Sequence, residues 1–176
     1  MKIYIIGMPG SGKTYLGRQL AQSLKLQFID LDEWIEKKEK RLIRTIIQEK
    51  GEPYFRTVER EVLHMTADKN NFIISCGGGT PVFFDNMEWM KNEGIVIWLN
   101  TPLEIISERI SKNITRRPLF MGLSKDEISE KLNEIYKIRF PFYKKANFFI
   151  EGNGQKMFSL NTIIQQVIKY SKNKFQ

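Results

Sequence analysis

The sequence predicts an α/β fold of three αβα layers: one domain over residues 1–176, with a five-stranded parallel sheet between helices. Three observations lead there. Five short apolar runs, Lys2–Ile6, Gln27–Leu31, Phe72–Cys76, Ile95–Leu99 and Phe148–Ile150, recur along the chain. Helical patterns separate them, as in a series of βαβ units. The first run enters a glycine-rich loop, GMPGSGKT at residues 7–14, which opens a helix. A chain of 176 residues that is 41% hydrophobic is enough for one sizeable core.

The elements follow in order. After the loop, Leu16, Leu20 and Leu24 recur every four residues and predict a helix over Tyr15–Leu24. The second strand ends FIDLD. Strand alternation puts Asp30 and Asp32 on one face, with Leu31 opposite. Residues 33–70 hold too much helix for a single crossover, so a helical insertion is expected there. Within it, a helix over about 53–68 carries a core stripe of Phe55, Val58, Val62 and Met65. The third strand runs into three glycines, IISCGGGTP. Asp85 with Glu88, Thr101 with Glu104 and Ser124 with Glu127 each have the spacing of a helix capping box, and Pro102 suits a first turn. Residues 111–123, SKNITRRPLFMGL, read as a mobile functional connection. Beyond it, Ile128, Leu132 and Ile135 form a stripe that continues to Arg139 and Phe142. A final amphipathic helix, Leu160–Tyr170, is expected to pack on the sheet.

Composition narrows the function. No run of 18 apolar residues occurs, so no membrane span is expected. Lys2 leads straight into the loop motif without the apolar segment of a signal peptide. The single cysteine, Cys76, excludes an internal disulfide, and a cytoplasmic location is expected. The net charge of +8 comes from scattered lysines, and acidic residues interrupt the cluster at 37–40. That pattern reads as solvated surface rather than a nucleic-acid stripe. The expected partner is an anionic small molecule and the expected state a monomer.

The loop carries the strongest chemistry. Residues 7–14 fit G-x-x-x-x-G-K-[ST], with the strand before and helix after that this phosphate cradle requires. Bare glycine backbone lets amides turn inward, and the helix N-terminus favours an anion. Gly10, Ser11, Gly12, Lys13, Thr14 and Tyr15 are therefore the candidate nucleotide-binding residues. Lys13 reaches the β- and γ-phosphates, and Thr14 offers its hydroxyl to Mg²⁺. ATP with Mg²⁺ is the expected cofactor pair.

Ligands of open α/β sheets bind at the carboxyl ends of the strands. Asp30 and Asp32 stand there, one suited to a metal and the other to an attacking hydroxyl. Asp32 equally suits a helix cap before DEWIEK. Arg56 and Glu59 are three apart, as in an ordinary surface ion pair or an oriented guanidinium. The glycines at 77–79 suit either a flexible loop or close approach of a ligand. Arg139, on an inward stripe, needs an anion or a route to water. Cys76 reads as a small buried hydrophobe, and His64 has no assigned role.

Together, GMPGSGKT, DLD, FRTVE, CGGGTP, RRPL and RFPFY resemble shikimate kinases in order and spacing, over nearly the whole chain. The resemblance implies a fold like that of nucleoside monophosphate kinases, with residues 33–70 as the substrate-binding region and 111–123 as the lid. It implies transfer of the ATP γ-phosphate to the 3-hydroxyl of shikimate, on the route through chorismate to aromatic amino acids. By position, Asp32 would bind the hydroxyls and help activate the attacking one. Arg56 and Arg139 would clamp the carboxylate, with Glu59 positioning Arg56. Gly78 or Gly79 would offer a backbone N–H. Arg117, before Pro118 and beside Arg116, matches the lid arginine over the phosphates, and Arg109 the position near adenine. Asp30 matches the carboxylate near Mg²⁺, which Ser75 would also approach.

Overall fold

The computed structural model describes residues 1–114, 118–152 and 160–174, and the side chains of Pro118, Asn173 and Lys174 are left aside. The order is β1 (Lys2–Ile6), α1 (Lys13–Leu24), β2 (Gln27–Asp30), α2 (Leu31–Glu39), α3 (Ile43–His64), β3 (Phe72–Ser75), α4 (Asn86–Glu93), β4 (Ile95–Asn100), α5 (Leu103–Lys112), α6 (Lys125–Tyr143), β5 (Phe148–Glu151) and α7 (Leu160–Lys174). Short 3₁₀ turns occupy Thr80–Val82 and Pro118–Phe120.

All five predicted strands form, and they pair in parallel in the order β2-β3-β1-β4-β5. The central strand β1 explains the layering. Ile3 and Ile5 point into one core with Leu16 and Leu20 of α1 and Ile163 and Val167 of α7. Tyr4 and Ile6 point into the other, with Phe55, Val58 and Val62 of α3, Met90 of α4, Ile106 of α5 and Ile128 and Leu132 of α6. Period-two alternation on a strand buried on both faces thus makes three layers. Residues 3–6 are fully buried, and each such large side chain contributes roughly 1.5–3 kcal/mol of burial.

Several local expectations are corrected. β2 stops at Asp30, and Asp32 lies in the first turn of α2, so no shared strand face brings the two carboxylates together. Asp30, not Asp32, caps α2: its side chain accepts from the amides of Asp32 and Glu33. The 53–68 helix belongs to α3, which breaks at Gly51 (φ 83°) before Pro53 and ends at His64. Met65 falls outside the helix and is 51% exposed, so the core stripe stops at Val62. Of the three capping boxes only Ser124–Glu127 forms, with both reciprocal bonds. Asp85 accepts from Arg60 instead, and Thr101 donates its hydroxyl to the Ser11 carbonyl. Pro102 is the residue flanking α5 rather than its first turn. α7 runs past Tyr170 to Lys174 and packs on the sheet.

Candidate active site

The nucleotide end is built at the carboxyl edge of β1. Gly12, with φ 105°, adopts a backbone that a side chain would strain, and it leads into α1 with no side chain capping that helix. The first-turn amides are thus available to an anion. Lys13 Nζ donates to the carbonyls of Gly7 and Met8, both at 3.0 Å, and curls over the loop. Ser11 Oγ is buried inside the loop with no hydrogen-bond partner. Such an orphan fits a loop made to receive further acceptors. Arg109 Nη1 donates to the carbonyls of Gly10 (3.3 Å) and Ser11 (3.0 Å), so α5 holds the loop from outside. The other loop glycines, Gly7 and Gly10, stand at φ 149° and 83°. Tyr15, which follows the cradle in α1, is 57% exposed.

At the mouth of the loop, Thr14 Oγ1 donates to Asp30 Oδ2 at 3.0 Å and lies 3.4 Å from Ser75 Oγ. Among the described residues no three acidic, histidine or cysteine side chains group to hold a metal. This oxygen set fits Mg²⁺, a hard cation that keeps several waters and takes further ligands from phosphate. Thr14 and Asp30 are the residues that could hold it.

The glycine triplet after β3 gathers the rest of the site. A Cβ built on Gly77 would stand 2.9 Å from Glu59 Oε1 and 3.2 Å from Asp32 Oδ1. On Gly78 it would meet Arg139 Nη1 at 2.5 Å, and on Gly79 it would meet Arg56 Nη2 at 2.7 Å. Three successive glycines therefore let Asp32, Arg56, Glu59 and Arg139 converge on one turn from α2, α3 and α6. The close approach at the triplet is that of these side chains to bare backbone.

The electrostatics are uneven. Glu59 is fully buried and splits its oxygens: Oε2 accepts from Arg56 Nη1 at 2.9 Å and Oε1 from Thr80 Oγ1 at 2.6 Å. A fully buried partner excludes the surface-pair reading. Arg56 also donates through Nε (3.1 Å) and Nη2 (2.8 Å) to Glu52, and lies 4.3 Å from the Phe83 ring centroid. Arg139 Nη1 is buried without any hydrogen-bond partner. A buried cationic nitrogen in that condition calls for an anion. Asp32 is open to water within the cleft, yet protein and like charge crowd it. Partial burial first, then the Asp30 and Glu59 carboxylates, push it up to about 6, while Lys13 pulls the other way.

Sequence reasoning missed four participants. Tyr143 donates from its buried hydroxyl to the Gly78 carbonyl at 2.7 Å, and burial pushes it up to about 12. It lies one helical turn beyond Arg139 on α6, a spacing that could have flagged it. Glu52 stands one turn before Arg56 and was findable in the same way. Thr80 and Asn86 carry no such signal. Cys76 is buried as expected. Arg116 and Arg117 lie outside the described residues, as does part of the 111–123 segment.

The chain is similar to known proteins over nearly its whole length. The family model for shikimate kinase matches residues 9–171. A shikimate kinase of Bacteroides fragilis is 34% identical over 170 residues, covering 96% of this chain and 95% of that one. One from Parabacteroides distasonis is 38% identical over 156 residues, covering 89% of each. The crystal structure of shikimate kinase from Bacteroides thetaiotaomicron superimposes with a TM-score of 0.89 at 32% identity, over 98% of both chains. That of Acinetobacter baumannii shikimate kinase in complex with shikimate gives 0.83 at 33% identity, over 99% of this chain and 95% of the other.

Proposed function

The chain belongs to the shikimate kinase family, and from that premise we propose how its cleft acts. It is an ATP-dependent kinase that phosphorylates shikimate at the 3-hydroxyl, giving shikimate 3-phosphate and ADP, a step of aromatic amino acid biosynthesis. The observation that carries the residue assignment is the convergence at Gly77–Gly79. Two guanidinium groups and one aspartate face a single turn, and one guanidinium nitrogen is buried without a partner.

Shikimate carries a carboxylate on a ring bearing hydroxyls. Arg56, held by Glu59, and Arg139, held beside Tyr143, take the carboxylate between them. The ring then lies against bare backbone, where the N–H of Gly78 or Gly79 reaches a hydroxyl. Asp32 accepts a hydrogen bond from the attacking hydroxyl, takes its proton as the oxygen bonds the γ-phosphorus and ADP leaves, and then gives that proton up to water. Its raised affinity for a proton makes it a better base than an ordinary aspartate. The loop amides of Gly10, Ser11 and Gly12 hold the phosphates, Lys13 spans the β- and γ-phosphates, and Tyr15 and Arg109 border the nucleotide. Thr14 and Asp30 would hold Mg²⁺, which would neutralise charge on the phosphates. Residues 111–123 act as a lid, and Arg117 is assigned to the phosphates on the family pattern. Positioning and charge neutralisation supply the acceleration. The enzyme is proposed to work as a cytoplasmic monomer on small molecules. No helix among the described residues is long and apolar enough to cross a membrane.

A coupled ADP-release assay with shikimate, gluconate, AMP and CMP tests the reading. Shikimate is expected to be preferred in kcat/KM by at least about a hundredfold, as for a site that hydrogen-bonds its substrate. Equal turnover of any other acceptor overturns it.

A further inference from the structure

We propose that Thr80 is a positioning residue for the substrate-carboxylate arginine, acting through Glu59; the proposal rests on the shikimate reading of this cleft. Thr80 lies directly after the glycine triplet and is fully buried. Its hydroxyl donates to Glu59 Oε1 at 2.6 Å, while Glu59 Oε2 accepts from Arg56 at 2.9 Å. A carboxylate bound at one oxygen can still rotate about its last bond. Bound at both, it is fixed, and it fixes the guanidinium in turn.

The turn is itself anchored. Thr80 N donates to the Gly77 carbonyl at 3.2 Å, and Asn86 Nδ2, fully buried, donates to the Thr80 carbonyl at 2.9 Å. The N-terminus of α4 therefore sets where the Thr80 hydroxyl points. The hydroxyl also stands 3.0 Å from where a Gly77 Cβ would be, directly under the backbone that faces substrate. One side chain thus ties the glycine turn to the carboxylate clamp. An apolar replacement strands Oε1 of a buried carboxylate, and Glu59 is then free to turn. That loosens Arg56, which reads the substrate carboxylate, without touching the nucleotide loop.

The test is steady-state kinetics on Thr80→Val, Thr80→Ser and Thr80→Ala, with thermal melts for folding. Thr80→Val is expected to raise KM for shikimate about tenfold, from stranding one buried charged acceptor, with KM for ATP within twofold of wild type. Thr80→Ser keeps the hydroxyl and should restore most of the shikimate KM. If Thr80→Val does not fold, Thr80→Ala carries the same expectation with less bulk. A second readout is Glu59→Gln: added to the Thr80→Val chain, it should raise the shikimate KM far less than it does alone, because the two act in series. An unchanged shikimate KM in the hydroxyl-less variants, an equal rise in both KM values, or full additivity with Glu59→Gln overturns the proposal. A wild-type enzyme that does not turn over shikimate overturns the underlying reading instead, so the two failures are distinct.

Discussion

Arg139 reaches the cleft from α6, one turn before the helix ends at Tyr143, with Nη1 buried and unpaired. If that nitrogen meets a substrate carboxylate, Arg139→Ala should raise KM for shikimate by about tenfold or more and leave KM for ATP nearly unchanged. Initial-rate kinetics with each substrate varied in turn check this; an equal loss for both argues against the clamp. If Asp32 is the base for the attacking hydroxyl, it sets the pH dependence. Its carboxyl is raised to about 6 by partial burial, then by Asp30 and Glu59. A base must be ionised, so kcat/KM for shikimate should rise with pH to a plateau, with an apparent midpoint near 6. For stability the sign is opposite. The folded value of about 6 exceeds the ordinary 3.8, so the folded chain holds the extra proton between them. The contribution of Asp32 to stability is therefore intact below that window and lost as pH rises through it. Asp32→Asn should raise the melting temperature at neutral pH, with the gain vanishing toward 3.8, while turnover collapses. The two readouts move in opposite directions, and a fall in both melting temperature and activity contradicts the assignment.

At the scale of elements, capping separates what sequence spacing specifies from what competing partners decide. All three S/T/D-x-x-E segments have the right spacing, yet only Ser124 accepts from the Glu127 amide while Glu127 accepts from the Ser124 amide. Ser124→Ala should cost about 1 kcal/mol, read as a lower melting temperature with unchanged kinetic constants for both substrates. Asp85 and Thr101 lose their capping role because a better partner arrives from elsewhere, Arg60 of α3 and the Ser11 carbonyl of the nucleotide loop. The strands were legible for the converse reason. Their apolar runs satisfy the sheet locally, and β1 has the predicted bounds. The end of β2 was not legible. Asp30 turns from the last strand residue into the cap of α2, so strand alternation stops two residues short of Asp32.

For the whole molecule, the charge of +8 comes from cations spread along the chain, several of which pair with acids. Lys2–Glu93, Lys38–Glu61, Arg60–Asp85 and Lys145–Glu88 tie cations to acids on different elements. Pairs of this kind add little stability, but each interrupts any basic track across the described residues. Duplex DNA and single-stranded RNA should therefore bind only weakly at physiological salt; sub-micromolar affinity with a steep salt slope contradicts this. The amino-acid sequence by itself determined the phosphate loop, the five strands and the layered α/β arrangement, because each rests on a pattern short enough to be complete within one stretch of chain. Only the tertiary structure decided that Asp32, Arg56 and Arg139 meet over Gly77–Gly79, that Glu59 is buried rather than superficial, and that Thr80 and Tyr143 hold the meeting place together. Those contacts join α2, α3 and α6 to one turn, and a contact between distant segments leaves no periodic trace in either of them.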